Sequence, residues 1–248
     1  EYSYGPEKLD PIYTGKVTTD KNGFAKIKVK GRKEPGFTTV KVWTNHNGKK
    51  YQNMTNIGYE PYEIEPTTTL PEDFKEFWDN ELAKAAKVPM LTRVEYVAEQ
   101  SDDKVDVYNV RVQSYKRGNY IYGVLSVPKS EGKKAAILRL PGAAVRSFSG
   151  PNSLAYEGFI VFEIGVHGIP VDHDPEMYRA LSSGPLGGYA TIGLEDKNTF
   201  YYKRVYLGCV RAIDYLCSRE DVDSERIAVY GGSQGGMLSI VTAALDKR

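Results

Sequence analysis

Three short apolar runs constrain this chain more than anything else in it: Ala135-Ala136-Ile137-Leu138-Arg139-Leu140, Phe159-Ile160-Val161-Phe162-Glu163-Ile164 and Arg226-Ile227-Ala228-Val229-Tyr230. None alternates between apolar and polar. Strands covered on both faces of a parallel sheet read this way, because neither side chain direction meets water. Parallel neighbours need a long crossover, normally a helix. A helix is predicted over about Thr199 to Ser218, where Tyr206, Cys209, Val210, Ile213, Leu216 and Cys217 share one face. Ahead of the runs, Arg93 to Ala98, Val105 to Gln113 and Tyr120 to Pro128 read as consecutive antiparallel strands. The order predicts a mixed α/β sheet with helices on both sides.

The first 62 residues read differently. Tyr13 to Thr19, Phe24 to Lys30, Phe37 to Asn45 and Lys49 to Ile57 show alternation or β-branched enrichment, with Asp-Lys-Asn-Gly, Glu-Pro-Gly and Asn-His-Asn-Gly between them. Four such strands make about half of an immunoglobulin-like sandwich. Either this β segment is partial or it is a small complete sheet. Residues 63–70, rich in Pro and Thr, are predicted to be an extended linker to a domain over 71–248. That domain opens with a helix from Pro71 to about Lys87, whose Phe74, Phe77, Trp78, Leu82 and Ala85 form a core-facing stripe.

Composition excludes several classes of function. With 33 Lys plus Arg against 32 Asp plus Glu, the net charge is +1, which gives no broad field for nucleic acid or an anionic membrane. No apolar run approaches the ~18 to 20 residues that span a bilayer. The N-terminal residues Glu1-Tyr2-Ser3-Tyr4 carry no signal-peptide pattern. Cys209 and Cys217, the two thiols, lie roughly 12 Å apart along one helix, too far for a disulfide. The three histidines show no zinc spacing, and no metal or organic cofactor is implied.

The chemistry concentrates in Gly231-Gly232-Ser233-Gln234-Gly235-Gly236, which follows the third apolar run and leads into the apolar helix Met237 to Leu245. This is G-x-S-x-G in a strand–turn–helix setting. The turn lifts the Ser233 hydroxyl clear of the sheet, and Gly231 and Gly235 are needed where side chains would meet the neighbouring strand and helix. The helix directs its positive end at a forming oxyanion. No Lys-Ser/Thr pair follows, so the loop is not a phosphate cradle of the P-loop type. In α/β-hydrolases the N–H after the nucleophile and one from the loop after an earlier strand make the oxyanion hole. Here those donors are expected to be Gln234 and Ala143, the latter within Leu140-Pro141-Gly142-Ala143-Ala144.

The segment Phe200 to Asp214 (FYYKRVYLGCVRAID), followed by Asp223 to Gly236 (DSERIAVYGGSQGG), resembles the acetyl xylan esterase/cephalosporin-C deacetylase group, carbohydrate esterase family seven. The likeness covers roughly residues 70–248. It implies an α/β-hydrolase fold, Ser233 as nucleophile, and a small acetylated carbohydrate as substrate. Immunoglobulin-like modules precede such esterases in some gut bacteria, and residues 1–62 resemble them. Homo-oligomers occur in the group, and a periplasmic or secreted bacterial setting fits it. Two departures stand out. The group's Arg-Gly-Gln motif is replaced by Gly165-Val166-His167-Gly168-Ile169-Pro170, which marks a divergent branch, and the oxyanion-loop position usually held by Tyr is Ala143.

The group's triad runs Ser, Asp, His in chain order, and beyond the glycine-rich turn only Met237 to Arg248 remain. The Asp and His are therefore expected beyond Arg248, the sheet is expected to be cut short after the nucleophile strand and its helix, and this chain by itself is expected to be inactive. His167 and His173 precede Ser233 and are poor candidates for the base; Asp172, Asp174, Glu195 and Asp196 are not marked as the acid. Two rivals remain, a peptidase of the same fold and a non-catalytic carbohydrate-binding or scaffold protein.

Overall fold

The computed structural model describes residues 1–248 and divides into two compact units, Glu1–Pro71 and Glu72–Arg248. The first is a four-stranded antiparallel sheet of β1 (Tyr2–Pro6), β2 (Tyr13–Gly15), β3 (Gly36–His46) and β4 (Lys49–Tyr59), in the order β2-β1-β3-β4. β3 and β4 form a hairpin, with Asn47 and Gly48 at positive φ in the turn, as its two central residues require. Two expectations fail here. Phe24 to Lys30 forms no strand, and the predicted strand from Tyr13 to Thr19 stops at Gly15. The alternation itself survives: Ile27 and Val29 are half-buried while Lys26, Lys28 and Lys30 are exposed.

The second unit is built on a six-stranded mixed sheet. Its elements are α1 (Phe74–Ala86), β5 (Thr92–Tyr96), β6 (Val105–Gln113), β7 (Tyr120–Pro128), β8 (Lys134–Leu140), α2 (Ser153–Tyr156), β9 (Ile160–Gly165), α3 (Pro175–Ser183), α4 (Tyr201–Cys217), β10 (Val222–Gly231) and α5 (Gln234–Leu245). The strand order is β10-β8-β9-β7-β6-β5. β8 pairs in parallel with both β9 and β10, and the remaining neighbours are antiparallel.

The apolar runs explain the core. Leu138, Leu140, Ile160, Phe162 and Ile164 are fully buried against α4, whose Val205, Cys209, Ala212, Ile213 and Leu216 face them. Burying each large side chain contributes roughly 1.5–3 kcal/mol. Val161 turns to the opposite face and packs with Ala155 of α2, so helices do lie on both sides. Arg211 is buried and donates to the Ala85 and Val88 carbonyls, capping the C-terminal end of α1.

The third run departs from its reading. β10 lies at the end of the sheet, bonded to β8 alone, and most of its residues are exposed or half-exposed, Tyr230 at 58%. Its apolar residues cover one neighbour rather than two.

Candidate active site

β10 and β8 bring the two chemical segments together. Their parallel register pairs Ile227 with Ala136 and continues to Gly231 opposite Leu140. The turn after β10 therefore starts beside the loop after β8. Ser233 occupies that turn at φ 55 and ψ −122, a conformation that L-residues rarely adopt. Its side chain is exposed, and its carbonyl accepts the first bonds of α5 from the Gly236 and Met237 N–H groups.

The flanking glycines permit this approach. A Cβ on Gly231 would lie 2.6 Å from the Leu140 oxygen and 2.6 Å from the Gly235 carbonyl. A Cβ on Gly235 would overlap the Leu140 carbonyl oxygen outright. Strand, turn and helix thus interlock at a separation only glycine allows.

The Gln234 N–H, at the first position of α5, finds no protein acceptor, and neither does that of Ala143, which shares this freedom with its loop neighbours. Ala143 is exposed. Gly142 stands beside the elbow: a Cβ there would come within 3.8 Å of the Gly232 oxygen. The Gln234 side chain is buried and crosses from the elbow to this loop, its Nε2 donating to the Pro141 carbonyl at 3.3 Å.

Behind the elbow lies an aromatic cluster that the sequence did not mark as part of the site. Tyr189 and Tyr202 both donate to Gln234 Oε1, at 2.6 and 2.7 Å. Burial pushes the Tyr202 hydroxyl up to about 12, in keeping with a phenol that stays protonated and donates. Tyr189 lies tilted against Tyr201, with ring centroids 5.2 Å apart, and meets the His167 ring edge to face at 4.7 Å. The signal available was the run Phe200-Tyr201-Tyr202, but nothing in one sequence says where those rings point.

His167 has both ring nitrogens engaged, Nδ1 with the Tyr201 hydroxyl at 2.6 Å and Nε2 with the Ala144 carbonyl at 2.9 Å. It has no free nitrogen for the Ser233 hydroxyl. Burial lowers its pKa below the ordinary histidine value; the Ala144 bond opposes this and the Arg204 guanidinium adds to it. His173 borders a groove with Arg93, Asn109, Arg111 and Tyr122, and Asp172 there accepts from Asn109 at 2.8 Å. No three His, Cys, Asp or Glu side chains converge in a metal-binding arrangement. No helix is long and apolar enough to cross a membrane.

Fold and site together define an α/β-hydrolase: a serine on a left-handed turn between parallel strand and helix, beside the loop that ends the next strand. The chain belongs to the acetyl xylan esterase (AXE1) family, whose model matches residues 58–248. It is 37% identical over 252 residues to acetyl esterase Axe7A of Xylanibacter ruminicola, a match covering 100% of this chain and 56% of that protein. Among solved structures, it is similar to an acetyl xylan esterase from Paenibacillus sp. R4, with a TM-score of 0.62 and 35% identity over 74% of this chain and 58% of that one. Acetyl xylan esterase 1 from Thermoanaerobacterium sp. JW/SL YS485 is similar at a TM-score of 0.60 and 27% identity, covering 71% of this chain and 55% of that one. The chain thus spans somewhat more than half the length of these relatives.

Proposed function

We propose that the protein is a serine carboxylic-ester hydrolase that removes acetyl groups from acetylated xylo-oligosaccharides or similar small acetylated substrates. The observation that carries this reading is the exposed Ser233 at φ 55, set at the N-terminus of α5 beside the loop after β8. The names of the similar proteins concern acetyl esters, which supports the acyl group. A periplasmic or secreted setting suits such a substrate.

In this mechanism the Ser233 oxygen attacks the acetyl carbonyl carbon while a histidine takes its proton. The negative charge that develops on the carbonyl oxygen is met by the N–H groups of Gln234 and Ala143. Collapse expels the sugar alcohol, which regains the proton from the histidine. Water then clears the acetyl-enzyme by the same route. The base and its orienting acid are assigned to residues after Arg248, in the family order, since His167 is committed elsewhere.

The test is turnover of p-nitrophenyl acetate and of acetylated xylo-oligosaccharides by the natural full-length protein and its Ser233→Ala variant. Loss of a catalytic serine typically lowers kcat by several orders of magnitude. Unchanged turnover in the variant would refute the mechanism.

A further inference from the structure

Ala143 is exposed, and its own side chain is a methyl group that anchors nothing. Its neighbours on either side are held instead. The Pro141 carbonyl accepts from Gln234 Nε2 at 3.3 Å, and the Ala144 carbonyl accepts from His167 Nε2 at 2.9 Å. A carbonyl oxygen only accepts, so both side-chain nitrogens must be donors. That requirement fixes the orientation of the Gln234 amide and the tautomer of His167.

Each of the two side chains is locked in turn by tyrosine. With its proton on Nε2, the neutral imidazole offers Nδ1 as an acceptor to the Tyr201 hydroxyl, 2.6 Å away. Gln234 Oε1 receives two hydroxyls, from Tyr189 and Tyr202. Gln234 and all three tyrosines are buried, and Tyr189 packs against both His167 and Tyr202. Arg204 closes the far side of His167, its guanidinium over the Tyr201 ring and donating to the His167 carbonyl at 3.3 Å. The two carbonyls that bracket Ala143 are thus tied to α5, to α4 and to the turn at Tyr189 through side chains with little freedom to move.

We propose that the side chains of His167 and Gln234 are positioning residues that fix the Ala143 N–H by holding the carbonyls at both ends of its loop. Neither side chain touches the reacting atoms; both act through the backbone. The proposal rests on the serine-esterase reading above. An oxyanion donor works only where the charge will develop, so a loop released at one end loses transition-state stabilisation while substrate binding is largely kept.

Two amide substitutions at one position test this. In His167→Gln the side-chain nitrogen falls near the place of Nε2 and can still reach the Ala144 carbonyl, whereas in His167→Asn it falls near Nδ1 and cannot. The full-length His167→Asn variant is expected to lose about 10- to 100-fold in kcat with KM changed by less than about threefold. His167→Gln is expected to keep kcat within about fivefold of the parent. Gln234→Glu, which puts an acceptor against the Pro141 carbonyl but leaves the backbone N–H, is expected to show the same fall in kcat at constant KM. Melting temperatures close to the parent's establish that each variant folds. If His167→Asn does not fold, the comparison of Gln234→Glu with the parent decides. Equal kcat in His167→Asn and His167→Gln, or a change confined to KM, would overturn the proposal while Ser233 dependence stands. Turnover that survives Ser233→Ala would overturn the esterase reading itself, and this proposal with it.

Discussion

Single residues in this chain divide sharply by where burial leaves them. Cys209 lies in the core of α4, with no exposed surface, and burial pushes its thiol up to about 12. A thiol held protonated by burial offers little thiolate, so the group is a small apolar filler and not a nucleophile. Cys217 is half-buried and also raised by burial. In a thiol titration with a disulfide reagent, Cys209 is expected to react only after denaturant is added; rapid labelling in the native state would contradict its placement. The residues around Ser233 were legible because strained local geometry writes itself locally: the glycines, the serine and the apolar run are contiguous. The partners of the loop after β8 were not. Gln234 and Pro141 are 93 positions apart, and His167 and Ala144 are 23 apart. Side-chain hydrogen bonds of that span leave no periodic trace.

At the scale of elements, the sheet shows what pattern reading can and cannot supply. β6 and β7 match their sequence expectations end to end: alternation marks β6, while β7, buried on both faces from Gly123 to Ser126, is marked by its aromatic and β-branched residues. Phe24 to Lys30 alternates just as clearly yet forms no ladder. Alternation reports which side chains want cover, and here Ile27 finds part of it along a groove of about 480 Å³ lined also by Val42 and Trp43. The backbone hydrogen bonds that make a strand need a free edge in register, which no pattern encodes. β1 was missed for the opposite reason, because Gly5 and Pro6 read as turn residues in a strand of only five. β10 carries a consequence of its own. Its outer edge is unpaired, Tyr230 is 58% exposed and Ile240 on the adjoining α5 is 75% exposed. An apolar open edge is a template for pairing with other chains. The 248-residue chain is therefore expected to self-associate in size-exclusion chromatography, and Tyr230→Lys with Ile240→Glu to shift it toward monomer. A monodisperse monomer of the unmodified chain would argue against this.

Across the whole molecule, the two units differ in how they are built, one on purely antiparallel pairing and the other on a mixed sheet. Between β4 and α1, residues 60–73 are all exposed, with Tyr62 at 98%, and their only regular structure is one short helical turn at Pro61–Glu63. Proteases cut where backbone can leave its surroundings and adapt to their clefts. Brief digestion with chymotrypsin is expected to cleave first near Tyr62, giving fragments of roughly one quarter and three quarters of the chain. First cleavage inside β6 to β9 would show that the mixed sheet is the weaker unit. Within that sheet, the serine and the loop facing it hang from adjacent strands joined rung by rung up to Gly231 and Leu140. Between the strand ends at Gly231 and Leu140 lies no joint that could bend without tearing that ladder. The roots of the Ser233 turn and of the loop facing it therefore keep their spacing for as long as the sheet endures, and on the proposed mechanism heat is expected to silence the full-length protein no later than the temperature at which this sheet melts.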